Sequence, residues 1–223
     1  MHHVVLERWS RGNTFIHQRD PRAKIAALIV FLVVVATAHG ELTLLAAALF
    51  VFLSIIAVWA RLPLFGVMAR AGVVLPFTLV FAAIAWRPAL IPKTYLSAMA
   101  VLIVVATTPL PLLMRGMESL GAPRFLLMVA QFLYRYLFVI VEEGQHMVSA
   151  ARSRGGSFRA AAGALAVLFA RSYGRAEEIH RAMLARGFPG YFRTLGALRF
   201  RAADGCFAVI ASAVPVLLRM TIG

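Results

Sequence analysis

The chain has 223 residues, of which 61% are hydrophobic and 14% charged, and it carries a formal net charge of +14. Soluble domains hold about 45–50% apolar residues, so this composition excludes a water-soluble globular fold and directs the reading to a bilayer. The basic excess is then a matter of membrane topology rather than a nucleic-acid footprint, and a single cysteine, Cys206, excludes an intrachain disulfide.

Residues 1–24 form a polar, basic amino-terminal tail with Arg8, Arg11, Arg19, Arg22 and Lys24, expected on the cytoplasmic side without a removed signal peptide. Residues 25–108 hold apolar runs at Ile25–Ala38, Leu42–Ala60, Gly72–Trp86 and Leu96–Thr107, read as transmembrane helices one to four. The turn His39-Gly40-Glu41 lacks Lys and Arg, as an outside turn should, and Arg61 to Arg70 returns inside. Arg87 and Lys93 then fall outside, a local departure from the positive-inside rule.

Residues 109–202 read as a cytoplasmic or interfacial layer of amphipathic coupling helices, opened by a short helix at Met114–Leu120. Phe125–Val141 is apolar enough to cross, but a single crossing would put Arg152, Arg154 and Arg159 outside. Gln131, Arg135, Glu142, Gln145, Ser149 and Arg152 make a polar stripe on one long helix from Phe125 to Ser153, about 43 Å at 1.5 Å per residue. Ala160–Phe169 is expected against the inner membrane face. A second amphipathic helix is expected at Arg171–Arg186, with Ala176, Ile179 and Met183 on one face and a Glu177–Arg181 pair. Residues 203–223 supply a carboxy-terminal transmembrane helix, completing an all-α, polytopic fold of about five spans.

Both long helices finish on a small-Arg-Gly signature: Ser153-Arg154-Gly155 and Ala185-Arg186-Gly187. Glycine permits the left-handed conformation that ends a helix, and arginine there complements the dipole, so each signature reads as a cap. The same arginine offers a planar fork of donors to a partner, and two copies in one segment suit two equivalent grooves.

Catalytic chemistry is sparse. The lysines are Lys24 and Lys93, neither in a phosphate-binding loop, so the chain is not itself an ATPase. The six histidines are scattered, His2 and His3 read as an exposed tail, and no metal site is expected. The spans lack acidic residues that would mark an ion path, Glu41 being at a turn and Asp204 at an edge. Glu142-Glu143 has no nucleophile beside it and reads as pairing with arginine. A non-enzymatic subunit is expected.

These motifs resemble the transmembrane coupling component of energy-coupling factor transporters, the EcfT/CbiQ family, and in particular its cobalt-transport CbiQ branch. The resemblance rests on Asp20-Pro21-Arg22-Ala23-Lys24 before the first span, Thr107-Thr108-Pro109 after the fourth, Tyr134-Arg135-Tyr136 followed by Glu142-Glu143, and the paired tips. Ala185-Arg186-Gly187 matches the family's Ala-Arg-Gly fully, and Ser153-Arg154-Gly155 departs by one small residue. The resemblance implies a multi-pass protein of the bacterial cytoplasmic (inner) membrane that binds no cofactor. Its partners would be two cytoplasmic CbiO-like ATPase subunits carrying ATP and magnesium, a CbiM-like substrate-binding membrane subunit and a small CbiN-like one. It implies that Arg154 and Arg186 each enter a groove of one ATPase subunit, with cobalt as the cargo and nickel or a vitamin as the alternative.

Overall fold

Aspartate followed by proline sets the start of the first helix. In a computed structural model, described here for residues 9–10, 12, 14–38, 42–153, 155, 158–190 and 200–222, Asp20 caps α1 (Pro21–Thr37) by accepting from the Arg22 amide at 2.8 Å. The succeeding helices are α2 (Leu42–Trp59), α3 (Leu64–Gly72), α4 (Leu75–Ile84), α5 (Leu90–Thr107), α6 (Leu110–Ser119), α7 (Arg124–Ser153), α8 (Phe158–Ala185) and α9 (Ala202–Ile222). Among the described residues there is no strand, and the fold is all-α.

The chain divides into two units, Met1–Gly121 with Ala197–Gly223 and Ala122–Gly196. In the first, α5 packs against α1, α2, α3 and α4, while α9 lies on α1 and α2. Leu49, Met99, Val67 and Phe31 are buried in this core, and small residues on α5, Ala100 and Ala106, let neighbours approach closely. The outward faces are the reverse of a soluble protein's: Ile29, Val51, Ile55, Phe77 and Val80 are all exposed, as lipid-facing residues should be. The protein is a multi-pass membrane protein.

Span lengths depart from expectation. Among the described residues, three helices (Leu90–Thr107, Arg124–Ser153 and Ala202–Thr221) are long and apolar enough to cross a membrane, or four if the bent pair α3 and α4 is one span. The expected run Gly72–Trp86 is therefore not one straight helix, since α3 and α4 are bent by 41° at Val73-Val74. Pro76 is the cause: it lacks an amide donor, and its ring would clash with the Gly72 carbonyl in a continuous helix. Of the other two expected spans, α1 has 17 residues, and α2 ranks with the shorter apolar helices. α7, which charge placed outside the membrane, is by length and composition also able to cross it. The turn at 39–41 lies outside the described residues.

Two helices end on a left-handed residue that is not glycine. Arg61 (φ 53°) follows α2, where the Leu62 amide donates to the Ala57 carbonyl at 3.0 Å and Arg61 to Val58 at 2.8 Å. Trp86 (φ 51°) follows α4 with the same paired bonds, Arg87 to Ala82 and Trp86 to Ala83. Lys93, one of the two cations that the sequence places outside, has a partner in the fold, and so does Arg219. Lys93 donates to the Ala36 and Ala38 carbonyls at 3.2 and 2.7 Å, and Arg219 to the Thr37 carbonyl at 3.0 Å. Both cations cap the carboxyl end of α1, where carbonyls lack helical partners.

In the second unit, Ala160–Phe169 and Arg171–Arg186 are not separate segments but belong to the single 28-residue α8. Nothing between them breaks a helix, and Gly163 and Gly174 sit in open space.

Candidate coupling site

The α7/α8 pair positions both Arg-Gly tips. Glu143 of α7 is ion-paired with Arg171 of α8, and Gly144 faces Leu168, so residues later in α7 meet residues earlier in α8. The helices are thus antiparallel, and their carboxyl ends lie at opposite ends of the pair, separated by up to a helix length, about 42 Å for 28 residues. Grooves open on both sides of the Gly144–Leu168 approach. One of about 700 Å³ is lined by Phe132, Tyr136, Ile140, Ile179 and Met183, and one of about 780 Å³ by Met147, Val148, Ala164 and Leu165. The predicted stripe of Ala176, Ile179 and Met183 faces the first groove, and the Glu177–Arg181 pair forms.

At the second tip, Gly187 takes φ +71° and donates to the Leu184 carbonyl at 3.0 Å, while Phe188 donates to Met183 at 3.0 Å. This is a complete Schellman cap, with Ala185 as the last helical residue and Arg186 at the C-cap, its side chain exposed. Nothing lies within 4 Å of a Cβ built on Gly187, so the glycine is required by its φ rather than by space. At the first tip, Gly155 takes φ +99° and donates to the Arg152 carbonyl at 3.2 Å, the equivalent of the Gly187 bond. The Ser153 hydroxyl folds back on the Ser149 carbonyl at 3.2 Å. Arg154 itself lies outside the described residues.

Tyr134, Arg135 and Glu142 all sit on α7. Tyr134 meets Phe138 edge-on, Arg135 lies 5.9 Å from the Tyr136 ring, and Glu142 is 4.0 Å from His146. The acidic partner of an arginine is thus Glu143 rather than Glu142, one residue along and facing α8.

Asp20, Pro21 and Arg22 belong to the other unit, where two sequence motifs come together. Lys24, 3% exposed, donates to the Thr107 carbonyl at 3.0 Å and the Thr108 hydroxyl at 2.8 Å. The Asp-Pro-Arg-Ala-Lys and Thr-Thr-Pro motifs are therefore the two halves of one buried polar joint. Sequence reading passed over its third member. Asp204, also 3% exposed, accepts from Arg19 at 3.4 Å, from the Asp20 amide at 3.3 Å and from the Arg201 amide at 2.9 Å. The last bond is half of a capping box on α9, and an Asp three residues into an apolar helix was the signal available. Among the described residues no three His, Cys, Asp or Glu side chains cluster as metal ligands.

Comparison with known proteins agrees with the motifs. The family model described as "CbiQ: Cobalt transport protein" matches residues 89–195, a stretch that runs from α5 through both tips. The energy-coupling factor transporter transmembrane protein EcfT of Listeria innocua is 27% identical over 98% of each chain, and that of Bacillus selenitireducens 27% over 84% of each. The cobalt transport protein CbiQ of Rhodobacter capsulatus is 32% identical over a shorter stretch, 40% of this chain and 39% of that one. The chain is similar to proteins of the EcfT/CbiQ family. The antiparallel α7/α8 pair is the element in which the matched stretch and the recurrent Arg-Gly signature coincide.

Proposed function

We propose that this protein is an EcfT/CbiQ-type, non-catalytic coupling subunit of an ATP-driven importer, and that Arg154 and Arg186 each dock into one of two cytoplasmic ATPase subunits. The observation that carries the reading is the Gly187 cap, which ends α8 on a fully bonded turn and leaves the Arg186 guanidinium exposed beyond it. The glycine bond at the end of α7 has the same pattern. An antiparallel pair with one tip at each end converts opening and closing of two ATPase subunits into movement of α7 against α8, through the Glu143–Arg171 contact. That movement is passed to a substrate-binding membrane subunit, with a small accessory subunit in the cobalt branch. In this reading the amino-terminal tail and both tips are cytoplasmic and the membrane is the bacterial inner membrane.

The cargo is cobalt, a reading supported by the family match and by the partial similarity to CbiQ. The full-length relatives are named as EcfT without a cargo, so the second reading keeps the same coupling role and takes nickel or a vitamin. The test is co-purification of tagged wild-type, Arg154→Ala and Arg186→Ala protein with the neighbouring ATPase and membrane subunits, together with ATP-dependent cobalt uptake. Truncating a desolvated interfacial arginine costs about 2–5 kcal/mol, and a rim arginine such as Arg201 much less. Unchanged assembly and uptake in both tip variants would reduce the tips to helix caps.

A further inference from the structure

At the end of α2, a cavity of about 600 Å³ is lined by Trp9, Phe15, His17, Trp59, Arg61 and Leu62. Its walls are aromatic and its charge is of one sign. Arg61 lines it directly, Arg70 stacks on Trp9 with its guanidinium carbon 4.3 Å from the ring centroid, and Arg19 stacks on Phe15 at 3.7 Å. No Asp or Glu is among the lining residues. Burial pushes the His17 pKa below its usual value, and its ring lies with Nδ1 2.6 Å from the Thr14 hydroxyl and Nε2 3.0 Å from the Trp9 carbonyl.

Of the three arginines, Arg19 is paired with Asp204 and Arg70 donates to the Gly66 carbonyl, whereas the Arg61 side chain has no hydrogen bond among the described residues. Arg61 also occupies a left-handed position that glycine would fill without strain, a mark of a side chain kept for a purpose. A second groove, of about 390 Å³, runs up α2 along Phe50, Val51, Ile55 and Val58 and shares Trp59 with the first. Trp59, 70% exposed, is the last residue of an apolar helix, where tryptophan marks headgroup depth.

We propose that this pair of cavities binds one anionic phospholipid, its phosphodiester on the Arg61 guanidinium and an acyl chain in the groove on α2. The basic, aromatic-walled pocket and the apolar groove meet at Trp59 in the order in which a lipid presents headgroup and chain.

The chain contains three tryptophans, so a Trp86→Phe background leaves Trp9 and Trp59 as reporters. The full-length protein is placed in nanodiscs containing brominated-chain phosphatidylglycerol or brominated-chain phosphatidylcholine at equal mole fraction. Phosphatidylglycerol quenches about fivefold more effectively, the preference expected of one arginine beside an anionic lipid. Arg61→Gln abolishes the preference. Arg61→Gly also abolishes it while melting no lower than the parent, because glycine relieves the backbone strain. Added glycerol phosphate does not reverse the quenching if the lipid itself is the ligand. Equal quenching by the two lipids, a preference retained in Arg61→Gln, or reversal by glycerol phosphate each overturns the proposal.

Discussion

Replacing Lys24 by methionine tests whether the joint between the Asp-Pro-Arg-Ala-Lys and Thr-Thr-Pro motifs holds the first unit together. The ammonium donates to the Thr108 hydroxyl at 2.8 Å, the Thr107 carbonyl at 3.0 Å and the His17 carbonyl at 3.4 Å, in a site where Thr107 and Thr108 are 1% and 2% exposed. Methionine keeps the length and removes the charge, so the cost of burying an ion is relieved. The partners, however, are left buried and unpaired at about 1–3 kcal/mol each. Counting the two shorter bonds, we expect a net loss of about 2–4 kcal/mol, a melting temperature lower by about 4–16 °C for a chain of this size. The assay is thermal unfolding of the purified protein in detergent, followed by tryptophan fluorescence. Thr108→Val alone should cost less, and the double variant should fall short of the sum because both remove the same bond. Lys24→Met protein melting within about a degree of wild type, or strictly additive effects, would refute the joint.

Gly187→Ala forces a left-handed conformation costing about 1–2 kcal/mol on a side chain, so ATP-dependent uptake in proteoliposomes should fall while Gly187→Asn retains more of it. Lys93→Met uncovers two carbonyls at the end of α1 and should lower stability by about 1 kcal/mol in the same melting assay, with Arg219→Met adding a comparable loss. Burial lowers the pKa of His17 below its usual 6.5, so the unfolded chain takes up a proton before the folded one does. Stability is therefore full above about pH 6.5 and declines as pH falls below it; His17→Gln should flatten this part of a melting-temperature profile between pH 5 and 7.5.

What could be read from the sequence was local. The α7 boundary at Ser153, the Glu177–Arg181 pair and the glycine caps all follow from residues within about five positions of one another, where helical geometry alone decides. Features that depend on distant partners were not visible. The pairing of Lys93 with Ala38 spans 55 positions and that of Lys24 with Thr108 spans 84, so a cation that broke the charge rule and a motif without a role were both waiting for a neighbour. The break between α3 and α4 had a local signal in Pro76, but the unbroken apolar run around it read as one span. α8 was divided in the reading because its composition changes at Arg171, whereas composition sets which face is wetted and not where a helix stops.

Asp204 accepts from the Asp20 amide across 184 positions, and Arg219 closes the far end of α1 across 182. Both ends of the helix made early in synthesis are thus completed by side chains that leave the ribosome late. Until α9 arrives, the Asp20 amide and the Thr37 carbonyl are without these two partners. The amino-terminal unit therefore closes only after the whole α7/α8 segment has been made, which orders biogenesis: six helices emerge, the α7/α8 pair follows, and α9 locks α1 last.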